Sequence, residues 1–280
     1  VGNIGLGATW LPGDKGTHYL NAYFRSGDQE VLTADAVLTQ KNGRDSLEVN
    51  TTFEHFPLSL ANAFMPDQVV TFTGDIDGGL YINGDMEKPK MSGDLSLDSV
   101  SVYARQAGAR YWFDNRPLKI ENNQLIFNKF AIYTTSRNPF TIDGNVDFRN
   151  MDRPTANLTL RAQNYTLLDA PRTRESMLYG KIFVDLNATV RGPLDGLTMR
   201  GNMNLLGNTD VTYVLTDSPL TVEDRLGELV TFTSFTDTTS VQATEVPTMS
   251  LGGMDMLMSV HIDDAVRLRA DLSPDRSSRV

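Results

Sequence analysis

Residues 180–192 read GKIFVDLNATVRG, and this stretch sets the fold class that we expect for the chain. Apolar and mostly polar residues alternate along it, and the apolar set is Ile182, Val184, Leu186, Ala188 and Val190. Because successive side chains of a β-strand point to opposite faces, the pattern predicts a strand with one apolar face and one mostly polar face. The apolar face must therefore contact either another sheet or something that is not protein.

The composition of the 280-residue chain excludes several classes of function. A net charge of −10 argues against a nucleic-acid partner, because phosphate contacts need a basic surface. The absence of cysteine excludes disulfides, thiol catalysis and cysteine metal sites. There is no signal peptide and no apolar run long enough to span a membrane, and both ends of the chain predict a piece of a longer protein.

Two stretches of the chain resemble each other at a distance of 108 residues. Gly84 and Gly93 in the first stretch correspond to Gly192 and Gly201 in the second, and each stretch then alternates up to a tyrosine, Tyr103 or Tyr213. Residues 118–130 similarly parallel residues 220–235. We therefore expect two similar β units, with partial units or terminal strands on either side. The predicted boundaries are 1–35, 36–143, 144–251 and 252–280.

Short turn signals separate the predicted strands, and they indicate antiparallel neighbours. The least strand-like stretches are residues 58–66 and 169–175, where we expect a short helix or an irregular crossover. The turn signals are DGG at 77–79, NG at 42–43 and 83–84, ENN at 121–123, GP at 192–193 and GN at 207–208.

The apolar alternation recurs in nearly every predicted strand. The residues expected to line one apolar face are Leu80, Ile82, Leu95, Leu97, Leu118, Ile120, Val146, Phe148, Ile182, Val184, Leu186, Ala188, Val190, Met203, Leu205, Val260, Ile262 and Leu268. Two folds fit this pattern. The first is a β-sandwich, in which two apolar faces close on each other. The second is a long sheet folded into a trough, and the repeat favours it because elongated arrays stack such units.

The glycine and proline pattern carries a resemblance to a known family. Gly84, Pro89 and Gly93, and then Gly192, Pro193 and Gly201, flank turns between amphipathic strands, and the closing VRLRADLS at 266–273 fits the same pattern. Over essentially its whole length the chain resembles the C-terminal region of the TamB family, the translocation and assembly module proteins of the AsmA-like, bridge-like lipid transfer superfamily.

The resemblance implies a β-taco fold: an all-β, elongated, curved and mostly antiparallel sheet folded into an open apolar groove, with short crossover helices. It implies the periplasmic part of a bacterial protein that is anchored in the inner membrane and extends toward an Omp85-class outer-membrane barrel. It also implies roles in carrying phospholipid between the membranes, with acyl chains in the groove, and in assembling outer-membrane proteins.

No catalytic residue, cofactor or metal site is predicted. The three histidines, His18, His55 and His261, are far apart and lack metal-ligand spacing. The aspartate- and glycine-rich stretches 74–79 and 142–148 do not match a calcium loop, so we interpret their aspartates as turn formers. The stretch GNIGLG at 2–7 lacks the strand–turn–helix context of a phosphate loop, and Asp263 and Asp264 have no acid or base partner.

Three functional hypotheses remain open from the sequence. The groove could carry lipid, or an open sheet edge could pair with strands of nascent outer-membrane proteins by β-augmentation. The third hypothesis is a surface adhesin or carbohydrate-binding β-sandwich with Tyr111 and Trp112 as its platform.

Overall fold

The structure is a computed structural model. It describes residues 3–41, 44–65, 70–105, 108–173, 176, 178–214, 250–251 and 254–271.

The described residues are almost entirely β-strand, with two short 3₁₀ segments, Asp14–Gly16 and Leu58–Phe64. The strands are β1 Ile4–Pro12, β2 Thr17–Ser26, β3 Gln29–Lys41, β4 Arg44–Pro57, β5 Val70–Asp85, β6 Lys90–Ala104, β7 Ala109–Phe113, β8 Leu118–Glu121, β9 Gln124–Tyr133, β10 Phe140–Asp147, β11 Thr155–Ala170, β12 Leu178–Pro193, β13 Thr198–Leu205, β14 Asp210–Val214, β15 Ser250–Leu251, β16 Met254–Ile262 and β17 Arg267–Asp271.

All 17 strands belong to one sheet. Strands β1 to β6 form an antiparallel meander, and β6 then pairs with β7 at one end and with β8 at the other. Both β7 and β8 pair with β9, and the meander continues through β10, β11 and β12 to β13 and β14. Strands β16 and β17 add in parallel to β13 and β14, and β15 adds antiparallel to β16. The prediction of a mostly antiparallel, all-β sheet is confirmed.

The two repeated hairpins have the same register. Strands β5 and β12 are both 16 residues long and start 108 residues apart. Gly93 lies opposite Leu80, and Gly201 lies opposite Ala188, which is again an offset of 108. The unit boundaries stay a prediction, and residues 220–235 lie outside the described residues.

The tyrosines that end the two stretches lie on different faces of the sheet. Tyr103 lies opposite Thr71 on the polar face, whereas Tyr213 lies opposite Leu178 on the apolar face. The reason is that β6 is continuous but bulged, whereas the second unit breaks into β13 and β14 over residues 206–209. At the ends of the two repeated segments, corresponding residues therefore point to different faces of the sheet.

Two predicted turns lie within strands. Residues 77–79 and 83–84 belong to β5, whereas residues 122–123 and 207–208 do form turns. Gly78 has a φ of 131°, and a Cβ there would lie 2.2 Å from the Asp94 carbonyl oxygen. This glycine therefore permits close approach of β6 instead of reversing the chain. Residues 192–193 end β12 just before its turn, and residues 42–43 lie outside the described residues.

The first predicted crossover is the 3₁₀ segment Leu58–Phe64. The Asn62 side chain joins it to β5, because its amide donates to the Phe72 carbonyl and its oxygen accepts from the Phe72 N–H. At the second, β11 extends to Ala170 and residues 171–173 are irregular. The described part of 169–175 therefore fits the expectation of an irregular crossover.

The sheet bends along a line that crosses nearly all its long strands. Two residues oppose one at β-bulges in β4 (54–55), β6 (99–100), β9 (128–129) and β11 (163–164). At the same level, corners separate β7 from β8, β13 from β14 and β16 from β17. Because a bulge bends its strand and increases the local twist, the sheet curves along this line, which we call the bend line.

Candidate functional site: the apolar face of the sheet

Aspartates on neighbouring strands stabilise the bend line. The bulged residues His55, Lys129 and Asn164 have φ angles of 49°, 48° and 45°, which are uncommon for residues other than glycine. Their backbone N–H groups donate to Asp77 at 2.8 Å, to Asp143 at 2.8 Å and to Asp185 at 2.7 Å, respectively. The interpretation of Asp77 and Asp143 as turn formers is therefore wrong, because both lie within strands and accept a bulge N–H.

Cross-strand register joins the apolar residues into one face, because directly opposed residues point to the same side of a sheet. In the second unit, Leu186 lies opposite Ala162 on one side and opposite Met203 on the other. Met203 in turn lies opposite Val260 in β16. The series continues at the other end of these strands, where Gly180 lies opposite Val211, which pairs with Leu268.

The first unit continues the same face. Ile82 lies opposite Met91, Leu80 opposite Gly93, and Gly93 opposite Ile120. The next partners of Ile120 across the sheet are Leu125 and Val146, which lead to β11 and β12. All of the predicted lining residues within strands therefore lie on one face. Phe148 follows the end of β10, and its N–H donates to the Asn123 carbonyl at 2.7 Å.

Sequence reasoning missed part of this face. Its signal was weakened where bulges interrupt the alternation of apolar and polar residues, as at 128–129 and 163–164. The additional members include Trp10, Phe24, Phe53, Phe127, Phe130, Phe140, Leu158, Leu160 and Tyr165.

Burial of the face is concentrated in β11 and β12, and the face is exposed toward both ends of the sheet. Val184 and Ala188 are 3% and 2% exposed, whereas Val260 is 51% exposed and Leu268 is 62% exposed. At the other end of the sheet, Leu6 in β1 is 80% exposed. Farther in, β5 contains no fully buried residue. A closed core would produce a regular alternation of buried and exposed residues, so this face is largely open.

Charged side chains are absent from the apolar face in the described strands β5 to β14. Its members there are aliphatic or aromatic residues, methionines and glycines. Tyr165 is the most buried polar exception: it is 2% exposed, packs 5.9 Å from the Phe140 ring, and burial raises its pKa to about 12. Its hydroxyl is therefore neutral near pH 7, and the face offers apolar contacts without charge.

A family model provides the comparison that decides the identity of the chain. The model of the TamB C-terminal domain matches residues 128–276, which is more than half of the chain. The chain belongs to the TamB family. No curated protein and no solved structure matches it.

Membership of the TamB family associates the chain with envelope biogenesis and with the translocation and assembly module. The match extends from β9 to beyond β17 and so includes the second repeated hairpin. Within the described ranges, neither of the short helices has the length and apolar character that crossing a bilayer requires.

The β-sandwich alternative does not fit this TamB-family chain. The described strands form one sheet, and no second sheet covers the apolar face. Tyr111 packs with Ala109 and Leu168 on the apolar side, and its hydroxyl donates to the Leu167 carbonyl at 2.9 Å. Trp112 lies opposite Ser101, on the other side. Because adjacent strand residues point to opposite faces, these two rings do not form a joint platform.

The three histidines belong to three different strands, β2, β4 and β16. His18 is near Trp10, with ring centroids 5.1 Å apart, and His261 is exposed. His55 lies at the bend line, on the polar face of the sheet, together with Asp77 and Asp98. One potential ligand atom from each of these three residues lies within 4.8 Å of the other two. Asp263 has a structural contact, because it accepts the Gly207 N–H at 2.9 Å.

Proposed function

We propose that the apolar face shelters phospholipid acyl chains during transport between the two membranes of the envelope. The observation that carries this proposal is an apolar face without charged side chains from β5 to β14, continuing onto the exposed Val260, Ile262 and Leu268. Each methylene of an acyl chain that is removed from water contributes about 0.8 kcal/mol to binding. A continuous apolar surface can therefore hold an elongated acyl chain along its length. The family match supports the same role.

The side chains of the face suit an irregular, mobile ligand. Methionines 91, 199, 203, 256 and 258 lie on it, and unbranched thioethers adapt to apolar surfaces of variable shape. Each of the eighteen predicted lining residues is assigned to this role in the proposal. We assign no catalytic role and no cofactor to the face.

The proposal extends to place and partners. The chain acts in the periplasm as part of a protein anchored in the inner membrane. Other regions of that protein contact an Omp85-class outer-membrane barrel. The family match supports this placement, because TamB proteins belong to the envelope.

Leu186→Asp tests the lipid proposal. Leu186 is half-buried on the apolar face, so a carboxylate there can reach water while it obstructs acyl chains. The protein is purified from bacteria, extracted with organic solvent and examined by mass spectrometry. We expect phospholipid with the unchanged protein, and a folded Leu186→Asp variant without lipid. The control is Asn187→Asp on the polar face, which keeps both lipid and fold.

Two results would contradict the proposal: no lipid with the unchanged protein, or undiminished lipid with folded Leu186→Asp. If Leu186→Asp does not fold, Val260→Asp replaces it, because half of the Val260 side chain is already in solvent. Its control is Ser259→Asp, at the neighbouring residue on the polar face of the sheet. Undiminished lipid with folded Val260→Asp would contradict the proposal in the same way.

A second function, assembly of outer-membrane proteins by β-augmentation, is favoured by the free edge of β1. In the described structure β1 pairs only with β2, and its sequence IGLGATWLP contains no charged residue. Most natural edge strands carry charges or bulges that prevent pairing. Saturable binding of a strand peptide from an outer-membrane protein to lipid-free protein would support this function, and its absence would exclude the β1 edge from it.

A further inference from the structure

A depression of about 680 Å³ lies on the polar side of β10 to β13, opposite to the apolar face. Five carboxamide side chains contribute to its lining: Asn138, Gln163, Asn187, Asn202 and Asn204. Arg161 and Asp185 add one charge of each sign, so the lining is close to neutral.

Most of these carboxamides have unused hydrogen-bonding capacity. Asn138 donates to the Asn164 carbonyl at 3.0 Å, and Asp185 accepts the Asn164 N–H. Within the described chain, the side chains of Gln163, Asn187, Asn202 and Asn204 form no hydrogen bond, and all four are exposed. Since each carboxamide offers two donors and a carbonyl acceptor, the depression presents a dense array of neutral donors and acceptors.

The internal repeat shows that the fold does not require these amides. Asn187 lies opposite Asn202, and Asp185 lies opposite Asn204. At the same register, 108 residues earlier, Gly79 lies opposite Asp94 and Asp77 lies opposite Ser96. The aspartate that accepts the bulge N–H is present in both units, as Asp77 and Asp185, so it has a structural role. The amides occur only in the second unit.

We infer that this depression, which we call the amide site, binds a neutral, hydroxyl-rich ligand of the carbohydrate class. Sugar hydroxyls both donate and accept hydrogen bonds, as carboxamides do, and they need no net charge in the site. A peptide strand fits less well, because β10 to β13 are paired along both edges and offer no backbone groups for augmentation. An anion fits less well, because Arg161 is 3.6 Å from the Asp143 carboxylate and Asp185 adds a negative charge to the lining.

Saturation-transfer NMR with two trisaccharides, triacetylchitotriose and maltotriose, tests the amide site. We expect saturable binding of at least one of them in the millimolar range, because no aromatic ring lines the depression to add stacking. Asn187→Ala combined with Asn202→Ala removes two facing carboxamides and should weaken binding on the order of tenfold. The matched control is Asn157→Ala, an exposed asparagine on the same side of β11 outside the depression, which should leave binding unchanged.

The remaining outcomes would overturn the inference. They are no saturable signal with either sugar, equal binding by the double variant and the unchanged protein, or binding of tetra-alanine in place of the sugars. Thermal melting of each variant verifies that it is folded. Because the amide site lies opposite to the apolar face, its failure would leave the lipid proposal untouched, and the failure of the lipid proposal would leave the amide site untouched.

Discussion

At the scale of single residues, the end of β10 carries a well-defined electrostatic contact. Arg149 donates side-chain and backbone hydrogen bonds to Asp147, including Nε to Oδ2 at 2.9 Å, and these bonds lower the pKa of Asp147 to about 2. Because the carboxylate form is favoured in the folded state, the contact stabilises the fold above about pH 4. That contribution disappears as the pH falls from about 4 toward about 2.

Arg149→Gln should raise the pKa of Asp147 toward the ordinary value for aspartate, about 3.9. The remaining backbone N–H of residue 149 should keep part of the shift. The measurement is a carboxyl-detected NMR titration of Asp147 in both proteins. The stability difference between them should be small, because Arg149 is largely exposed, and it should vanish below about pH 2. An unchanged pKa in the variant would assign the shift to another group.

At the scale of elements, the bulges determine where the sheet curves, and their aspartates can be tested singly. Asp143→Ala leaves the Lys129 N–H without its acceptor, so we expect the free energy of unfolding to fall by about 1.5–3 kcal/mol, as for hydrogen bonds to charged groups. The control is Asp195→Ala in the exposed turn after β12, whose weak 3.9 Å contact with Arg153 should contribute less than about 1 kcal/mol. Urea unfolding measures the free energy of unfolding of both variants. Equal losses of stability in the two variants would mean that the bulge does not depend on Asp143.

The same elements show how far sequence reasoning can reach. Strand β12 was predictable over residues 180–192 because no bulge interrupts its alternation. Strands β9 and β11 lose their phase at Lys129 and Asn164, so alternation alone does not connect Phe127 with Phe130, or Ala162 with Tyr165. The role of Asp143 was hidden because its partner N–H is on a neighbouring strand. The amide site combines residues from 138 to 204, and only the cross-strand register brings them together.

At the scale of the whole molecule, the free edge of β1 predicts association between chains. Ile4, Leu6 and Trp10 are exposed there, and unpaired backbone groups of an edge strand favour pairing with another strand. Leu6→Lys should abolish concentration-dependent association without unfolding the protein, because Leu6 is already 80% exposed. Sedimentation velocity over a range of concentrations measures this effect.

Met86→Lys is the control for the edge, because it places the same charge at an exposed apolar residue in a turn away from β1. This variant should associate as the unchanged protein does. A protein that stays monomeric at all concentrations, or equal effects of the two lysines, would show that the β1 edge is not the contact.

The lack of charge on the apolar face also has a kinetic consequence. Neighbouring strands lie about 4.8 Å apart, so an acyl chain moving across them would meet a low barrier at each strand, and these barriers act in series. The highest barrier in a series limits the rate, and each additional 1.36 kcal/mol slows passage about tenfold. One charged side chain anywhere on the apolar face from β5 to β14 would therefore dominate the passage time, whereas exchanges among apolar side chains would scarcely alter it. If the face carries lipid as proposed, the constraint on it is collective: the apolar side of each strand must remain uncharged, but no strand needs a particular apolar residue there.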